Sequence, residues 1–473
     1  DMFGSGKTVL RAGAAMIYEQ PTIRTFIDNG GLNENPSGVP GVTPGNGTID
    51  VTARTLTDSA ALSAAWAAGT PLFGNSSATP CDIDNPCDVF GALPHLATPY
   101  VLSWNLNLQQ QLTKSTVLQV AYVGNHGVSL YSHRDINQAL PMVSYNCYND
   151  GVASYGECRQ LARPFVQNCP PPVGVGSSGP CLPWVQYGNY LENFGNSIYH
   201  GLQTTLTQKT YRGLNFLLGY TYAHAIDNGT SNRSGYPQDS TTFNSERGSG
   251  DYDIRHRFTL SMTYDVPTFH APAQLGQGWQ FTSIWNFQTG EPYNFYDSYD
   301  DMSFTGEFLD RWNFYGNPGD IHWTVNPAKQ VAYLDYNAAP ADPRCAAHAS
   351  QDQLSTWGRY VAGSTVITPP EYGTFGNMSR NLFRGPGYAN WDMSVTKLWK
   401  LGERFQLQMR GEFFNILNHP NFDLFTMNTD LSNPPYGIFD LGVVKATPDV
   451  GAANPVVGSG GSRHIQLGLK IIW

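Results

Sequence analysis

The sequence predicts an all-β chain, an antiparallel transmembrane β-barrel with long loops on one rim, and three observations carry that prediction. About ten segments alternate apolar and polar residues with period two, the spacing of a strand with one apolar face. The connections between them alternate short and long. Aromatic residues gather near the segment ends. Composition agrees: charged residues are 14%, aromatics 13%, and Gly 49 with Pro 32 favours strands and turns over helices. No apolar run is long enough for a transmembrane helix, whereas a barrel strand needs only about 9–11 alternating residues.

The segments lie near residues 7–18, 99–112, 116–124, 198–210, 214–224, 254–266, 279–288, 389–399, 404–416 and 463–473. The first follows "DMFGSGKT", which imitates a phosphate-binding loop but has Asp1 where that loop needs its first Gly, and no strand precedes it. It is read as a turn entering the strand at Val9 and Leu10. "TKS" at 113–115 joins the second and third segments, and "YRG" at 211–213 joins the fourth and fifth. In the sixth, Phe258, Leu260, Met262, Tyr264 and Val266 oppose Arg257, Thr259, Ser261, Thr263 and Asp265. In the seventh, Trp279, Phe281, Trp285 and Phe287 oppose Gln280, Thr282, Asn286 and Gln288. "KLGE" at 400–403 leads into the ninth, where Phe405, Leu407, Met409 and Phe413 oppose Arg404, Gln406, Gln408, Arg410 and Glu412. The last closes on Ile465, Leu467, Leu469, Ile471 and Trp473 at alternate positions. Between these pairs run long connections at 19–98, 125–197, 225–253, 289–388 and 417–462. Soluble domains rarely carry so many, while a barrel places them on one rim and short turns on the other. Tyr18, Tyr100, Trp104, Tyr220, Tyr222, Trp391, Trp399 and Trp473 are placed to form interfacial girdles.

A net charge of −10 without any basic run excludes a nucleic-acid partner. All seven cysteines fall in long connections, which suits disulfides in an oxidising compartment. A local Cys81–Cys87 pair is plausible, Cys147, Cys158, Cys169 and Cys181 leave their connectivity open, and Cys345 is the simplest one left over. "CDIDNPC" is too wide for a zinc knuckle, so no metal and no cofactor are expected. The start at Asp1, without an initiator Met or a signal peptide, reads as the C-terminal portion of something longer.

Three sets of residues are candidates for function. The loop "GEPYNFYDSYDD" gathers Tyr293, Phe295, Tyr296 and Tyr299 with Asp297, Asp300 and Asp301, a set of flat rings and oxygen ligands suited to sugar stacking or Ca²⁺, or simply a solvated acidic loop. Arg257, Asp265, Arg404, Arg410 and Glu412 are read as lumen-facing, lining a solute path or pairing with each other. A hydrolase at the barrel rim, like the ten-stranded omptin proteases, requires an Asp-His pair, and His224, His256 and His348 are the histidines considered for it. No GxSxG turn or Ser-His-Asp spacing stands out, so no enzyme is expected.

"TPYVLSWNLNLQQQLTKSTVLQVAYVGNHGVSL", "YGTFGNMSRNLFRGPGYANWDMSVTKLWKLGERFQLQMRGEFFNILNHPNF" and the terminal "RHIQLGLKIIW" resemble the C-terminal barrel of TonB-dependent, Oar-like outer-membrane receptors. The resemblance implies a signal peptide, a carboxypeptidase-regulatory-like domain and a plug with a TonB box ahead of a 22-stranded barrel. It makes residues 1–473 the C-terminal part of that barrel. It further implies energised uptake of an extracellular ligand (glycan, peptide or chelate), with outer-membrane lipid, the TonB complex and the barrel-assembly machinery as partners. Ile465, Leu467, Leu469, Ile471 and Trp473 match the terminal signal read by that machinery. The alternative is a surface-binding or adhesion barrel without import. With about ten strands, the first and last are expected to leave their outer edges unpaired rather than meet in a small closed barrel.

Overall fold

Period-two alternation becomes strand in all ten expected places. The computed structural model describes residues 6–19, 42–43, 83, 86–92, 95–229, 237–272, 274–297, 301–307, 310–424, 427, 429–431, 441–448 and 460–473, with 42–43 and 87–92 as backbone only. The strands are Thr8–Tyr18 (β1), Tyr100–Gln111 (β2), Thr116–Asp135 (β3), Val185–Tyr211 (β4), Leu214–Asp227 (β5), His256–Asp265 (β6), Trp279–Gln288 (β7), Tyr388–Lys400 (β8), Gln406–Phe414 (β9) and His464–Ile472 (β10). They pair antiparallel in sequence order. Turns after β2, β4 and β8 therefore share one end, and the described cysteines Cys147, Cys158, Cys169, Cys181 and Cys345 lie in connections at the other.

Register aligns one apolar face across the sheet. Leu10 pairs with Leu108, Leu108 with Val120, Leu218 with Leu260, Leu260 with Trp285, Trp285 with Trp391, and Met409 with Leu469. The intervening positions carry mostly Thr, Ser, Asn, Gln and charge, with apolar exceptions such as Leu217 and Ile284, the division a bilayer on one side and water on the other demands. At the loop end the apolar face carries a belt of rings: Tyr18 stands 6.0 Å from Tyr100, Trp104 6.1 Å from His200 and Tyr222 5.0 Å from His256. Trp104 lies flat over Gly124, where a Cβ would come within 2.3 Å of the ring, so only glycine fits opposite it. At the turn end Lys397 shares the apolar face with Trp279 and Trp399, and its ammonium bends away to donate to the Gln274 carbonyl at 2.7 Å, to that of Leu398 at 3.0 Å and to that of Gln277. Its stem lies along lipid while its charge reaches the rim.

Ser283 is a polar side chain buried on the lipid side. Ser283 Oγ accepts the indole N–H of Trp285 at 2.6 Å and that of Trp391 at 2.8 Å. No water is present in hydrocarbon to replace it. Ser283→Ala strands both donors, and we expect a loss of about 1–3 kcal/mol in sheet stability, read from the urea midpoint of the detergent-embedded protein. An unchanged midpoint would show that the indoles find other acceptors.

β3 and β4 outrun the sequence expectation, reaching 20 and 27 residues. At about 3.3 Å per residue they far exceed the membrane core of about 30 Å, so they rise beyond it into the space of the loops. As expected, the edges stay open: β1 pairs only with β2 and β10 only with β9 among the described residues. Leu467 on β10 and Trp473 just beyond it are 80% and 88% exposed.

Candidate functional site

The long connections at the loop end fold into a unit with its own core. Residues 289–387 and 417–448 contribute Phe295, Trp312, Tyr360, Ile367, Phe383 and Leu431 to one cluster. A four-strand sheet crosses it in the order Asn313–Tyr315, Thr365–Thr368, Arg359–Ala362, Ala332–Leu334. Cys345 is reduced and buried in a second cluster with Leu354 and Val366. The connection after β3 forms three short helices, Pro141–Asn149 (α1), Tyr155–Leu161 (α2) and Pro164–Gln167 (α3). Disulfides Cys147–Cys158 and Cys169–Cys181 staple it. Ser154 and Glu157 make a capping box at the start of α2. The Cys81–Cys87 pair lies outside the described residues.

Arginines fasten this unit to the tips of β3 and β5 and to the connection between β5 and β6. Arg163 donates to Asp135 at the end of β3 at 3.1 Å and to the Asn137 carbonyl at 2.9 Å. Arg311 forks onto Glu246 at 2.7 and 2.9 Å and reaches the Met378 carbonyl at 2.8 Å. Arg380 binds Asp227 at the end of β5 and Asp251 at 3.0 Å, and Arg384 binds Asp253 at 2.5 Å. Arg163, Arg311, Asp135 and Glu246 are all buried, so each charge depends on its partner.

A carboxyl cluster lies inside the unit. Asp301 accepts the Tyr155 hydroxyl at 2.5 Å and the backbone N–H groups of Thr305 and Gly306 at 3.0 Å, with Arg159 at 3.4 Å. Asp297 accepts the Trp312 indole at 2.9 Å. Asp310 accepts the Ser303 N–H at 2.8 Å through one oxygen, while the other has no hydrogen-bond partner among the described residues. Burial, then the charge of Asp301, pushes the Asp310 carboxyl up to about 7. Burial, then Asp135, holds Glu307 well above the usual carboxylate range. A raised carboxyl means that the folded form holds the proton more tightly, so stability is greatest in acid and falls as pH rises from about 4 to about 7. We expect the unit to resist proteolysis better at about pH 5 than at about pH 8, and Asp310→Asn to flatten that difference. An unchanged pH profile in the variant would contradict this origin.

This geometry corrects part of the sequence reading. Tyr293, Phe295, Asp297 and Asp301 are buried, Tyr296 is partly so, and Tyr299 and Asp300 lie outside the described residues. Tyr293 and Phe295 pack on each other and on Phe383 at 5.0–5.6 Å, so their faces meet protein and are closed to a sugar ring. The aspartates hold backbone and ring N–H groups instead, and no acidic group with metal-ligand geometry occurs among the described residues. Arg404 sits in the turn before β9, not on the polar strand face. Arg257, Asp265, Arg410 and Glu412 are on that face, where Arg410 meets Glu412 at 2.8 Å and Asp265 accepts from Gln280 at 2.7 Å. Ile465, Leu467, Leu469 and Ile471 extend the apolar face along β10, ending at Trp473.

His224 does meet an aspartate, Asp253, at 3.1 Å. Its other nitrogen faces the Arg255 guanidinium at 3.1 Å, so both ring positions are taken. His256 bonds Tyr220, and His348 stacks on Tyr315 at 3.9 Å. Sequence reading missed a polar cavity of about 440 Å³ beside α2, lined by Ser154, Glu157, Arg159, Gln160, Arg163 and Gln186 among others. The SxxE capping pattern was its only local signal.

Among solved structures, the chain is similar in fold to the outer membrane transporter YddB from Escherichia coli, at 11% identity and TM-score 0.36 over 81% of this chain and 34% of that one. It is similar to the siderophore receptor PiuA from Acinetobacter baumannii at 10% and 0.35 over 80% and 29%. The ferric enterobactin receptor PfeA from Pseudomonas aeruginosa gives 10% and 0.38 over 99% and 38%. The chain thus spans about a third of the length of these structures. No curated protein sequence matches it. The profile of the outer membrane beta barrel domain matches residues 1–466, and the chain belongs to that family and to the outer membrane.

Proposed function

We propose that the chain is the barrel portion of a TonB-dependent, Oar-like receptor that takes up an extracellular ligand without chemical conversion. The observation that carries this reading is the folded loop unit, fastened by Arg163 to the tip of β3 and by Arg380 to the tip of β5, in a sheet whose other face is polar through the membrane. Ligand capture is assigned to the polar cavity beside α2, where Arg159 and Glu157 supply charge of both signs to a polar solute. Family membership and the resemblance of the β2–β3 and β8–β9 stretches support the receptor assignment. The alternating apolar residues of β10 and Trp473 serve as the assembly signal. The test compares accumulation of ferric chelates, oligosaccharides and peptides in cells making the protein, with and without an active TonB complex. TonB-dependent accumulation of one class supports the reading. Surface binding without accumulation favours an adhesion barrel.

A further inference from the structure

A second cavity, of about 420 Å³, opens where β5–β8 leave the membrane at the loop end. Its floor is a single lateral row: Tyr220 pairs with Phe258, Phe258 with Phe287, and Phe287 with Ala389. The row belongs to the same face as Leu260 and Trp285, so the floor is continuous with the lipid-facing surface. The roof comes from the long connections, where Trp323 and Phe422 stand 6.1 Å apart beside His419 and Pro420. The small side chain of Ala389 keeps the space open between aromatic neighbours. At that point β8 is held by the Asn421 side chain, which accepts the Ala389 N–H at 2.6 Å and donates to its carbonyl at 3.1 Å, so a loop replaces the next strand.

The lining is predominantly aromatic and apolar, with His256, His419, Gln288, Thr289 and the tyrosines Tyr220 and Tyr388 as its polar members. His256 shares one ring nitrogen with the Tyr220 hydroxyl at 2.8 Å, and its other nitrogen and the His419 ring have no hydrogen-bond partner among the described residues. The cavity sits level with the aromatic belt, the height at which acyl chains meet headgroups.

We propose that this cavity is a lipid site, taking one acyl chain of an outer-leaflet lipid against Phe258, Phe287, Trp323 and Phe422. The imidazoles of His256 and His419 meet the ester or phosphate oxygens of the same molecule. The occupant ties the 417–424 and 321–325 segments to the membrane, linking the loop unit to its lipid surroundings. This inference depends on the lipid-facing surface alone and not on transport.

The test counts lipid retained by the protein purified from outer membranes and washed extensively in detergent, using native mass spectrometry. The wild-type protein should keep one lipid per chain. Ala389→Phe, which fills the cavity, should lower occupancy about tenfold, a loss of binding worth one decade. Leu467→Ala, on the same face but far from the cavity, should keep it. A lipid with a photoactivatable acyl chain should mark the peptides of Phe287 and Phe422 in the unaltered protein, which guards against misfolding of the variant. Equal occupancy in the wild type and Ala389→Phe, labelling spread evenly over Leu467 and Phe287, or recovery of a peptide in place of lipid would each overturn the proposal.

Discussion

Arg311→Met is expected to destabilise the loop unit by about 3–5 kcal/mol, the cost of leaving a buried carboxylate without its cation. Arg311 and Glu246 are 5% and 6% exposed, and the guanidinium also carries the Met378 carbonyl. The double variant Arg311→Met with Glu246→Gln removes the stranded charge and should recover much of the loss. Limited proteolysis of outer-membrane preparations reads this directly. Cleavage should appear within 289–387 in the single variant and recede in the double, while heat-modifiable migration of the sheet stays constant. A single variant as resistant as the wild type would show that the Glu246 carboxylate does not depend on Arg311.

Leu260→Arg should cost about 2–4 kcal/mol, because Leu260 lies midway along β6 on the apolar face and a charge there meets the bilayer midplane. Its neighbour Ser261 points to the other face, so Ser261→Arg should change stability by well under half as much. Folded yield in lipid vesicles, titrated with urea, separates the two. Equal losses would mean that neither face is aqueous.

The same contrast explains what could be read from the sequence. Inside the membrane, each strand must place apolar residues on one side and polar residues on the other, and β6 announces this in every second residue, with β7 and β9 following it except at Ser283, Ile284 and Gly411. Beyond the membrane that demand ends: β3 continues from Gly124 through "NHGVSLYSHRD" and β4 begins at Val185, with water or loop on both faces and no period-two signal. The loop unit was illegible for a different reason. "GEPYNFYDSYDD" has the composition of an exposed capture loop, yet Phe295 and Tyr293 are core because Phe383, nearly ninety positions later, folds onto them. Only long-range contact separates a ligand-stacking ring from a packed one. Likewise, local spacing left Cys147, Cys158, Cys169 and Cys181 open to several pairings, and the packing of α1 against α2 selects Cys147–Cys158. The two cavities draw lining residues from separate connections, which no single stretch reveals.

The central claim is that the even positions of β6 face lipid and the odd positions face water. Spin labels placed singly from Phe258 to Thr263 in the membrane-embedded protein test it, through collisions with oxygen, which concentrates in lipid, and with a polar nickel chelate, which stays in water. The account predicts oxygen maxima at Phe258, Leu260 and Met262 and nickel maxima at Thr259, Ser261 and Thr263. Profiles without a period of two, or with the two phases exchanged, would contradict it.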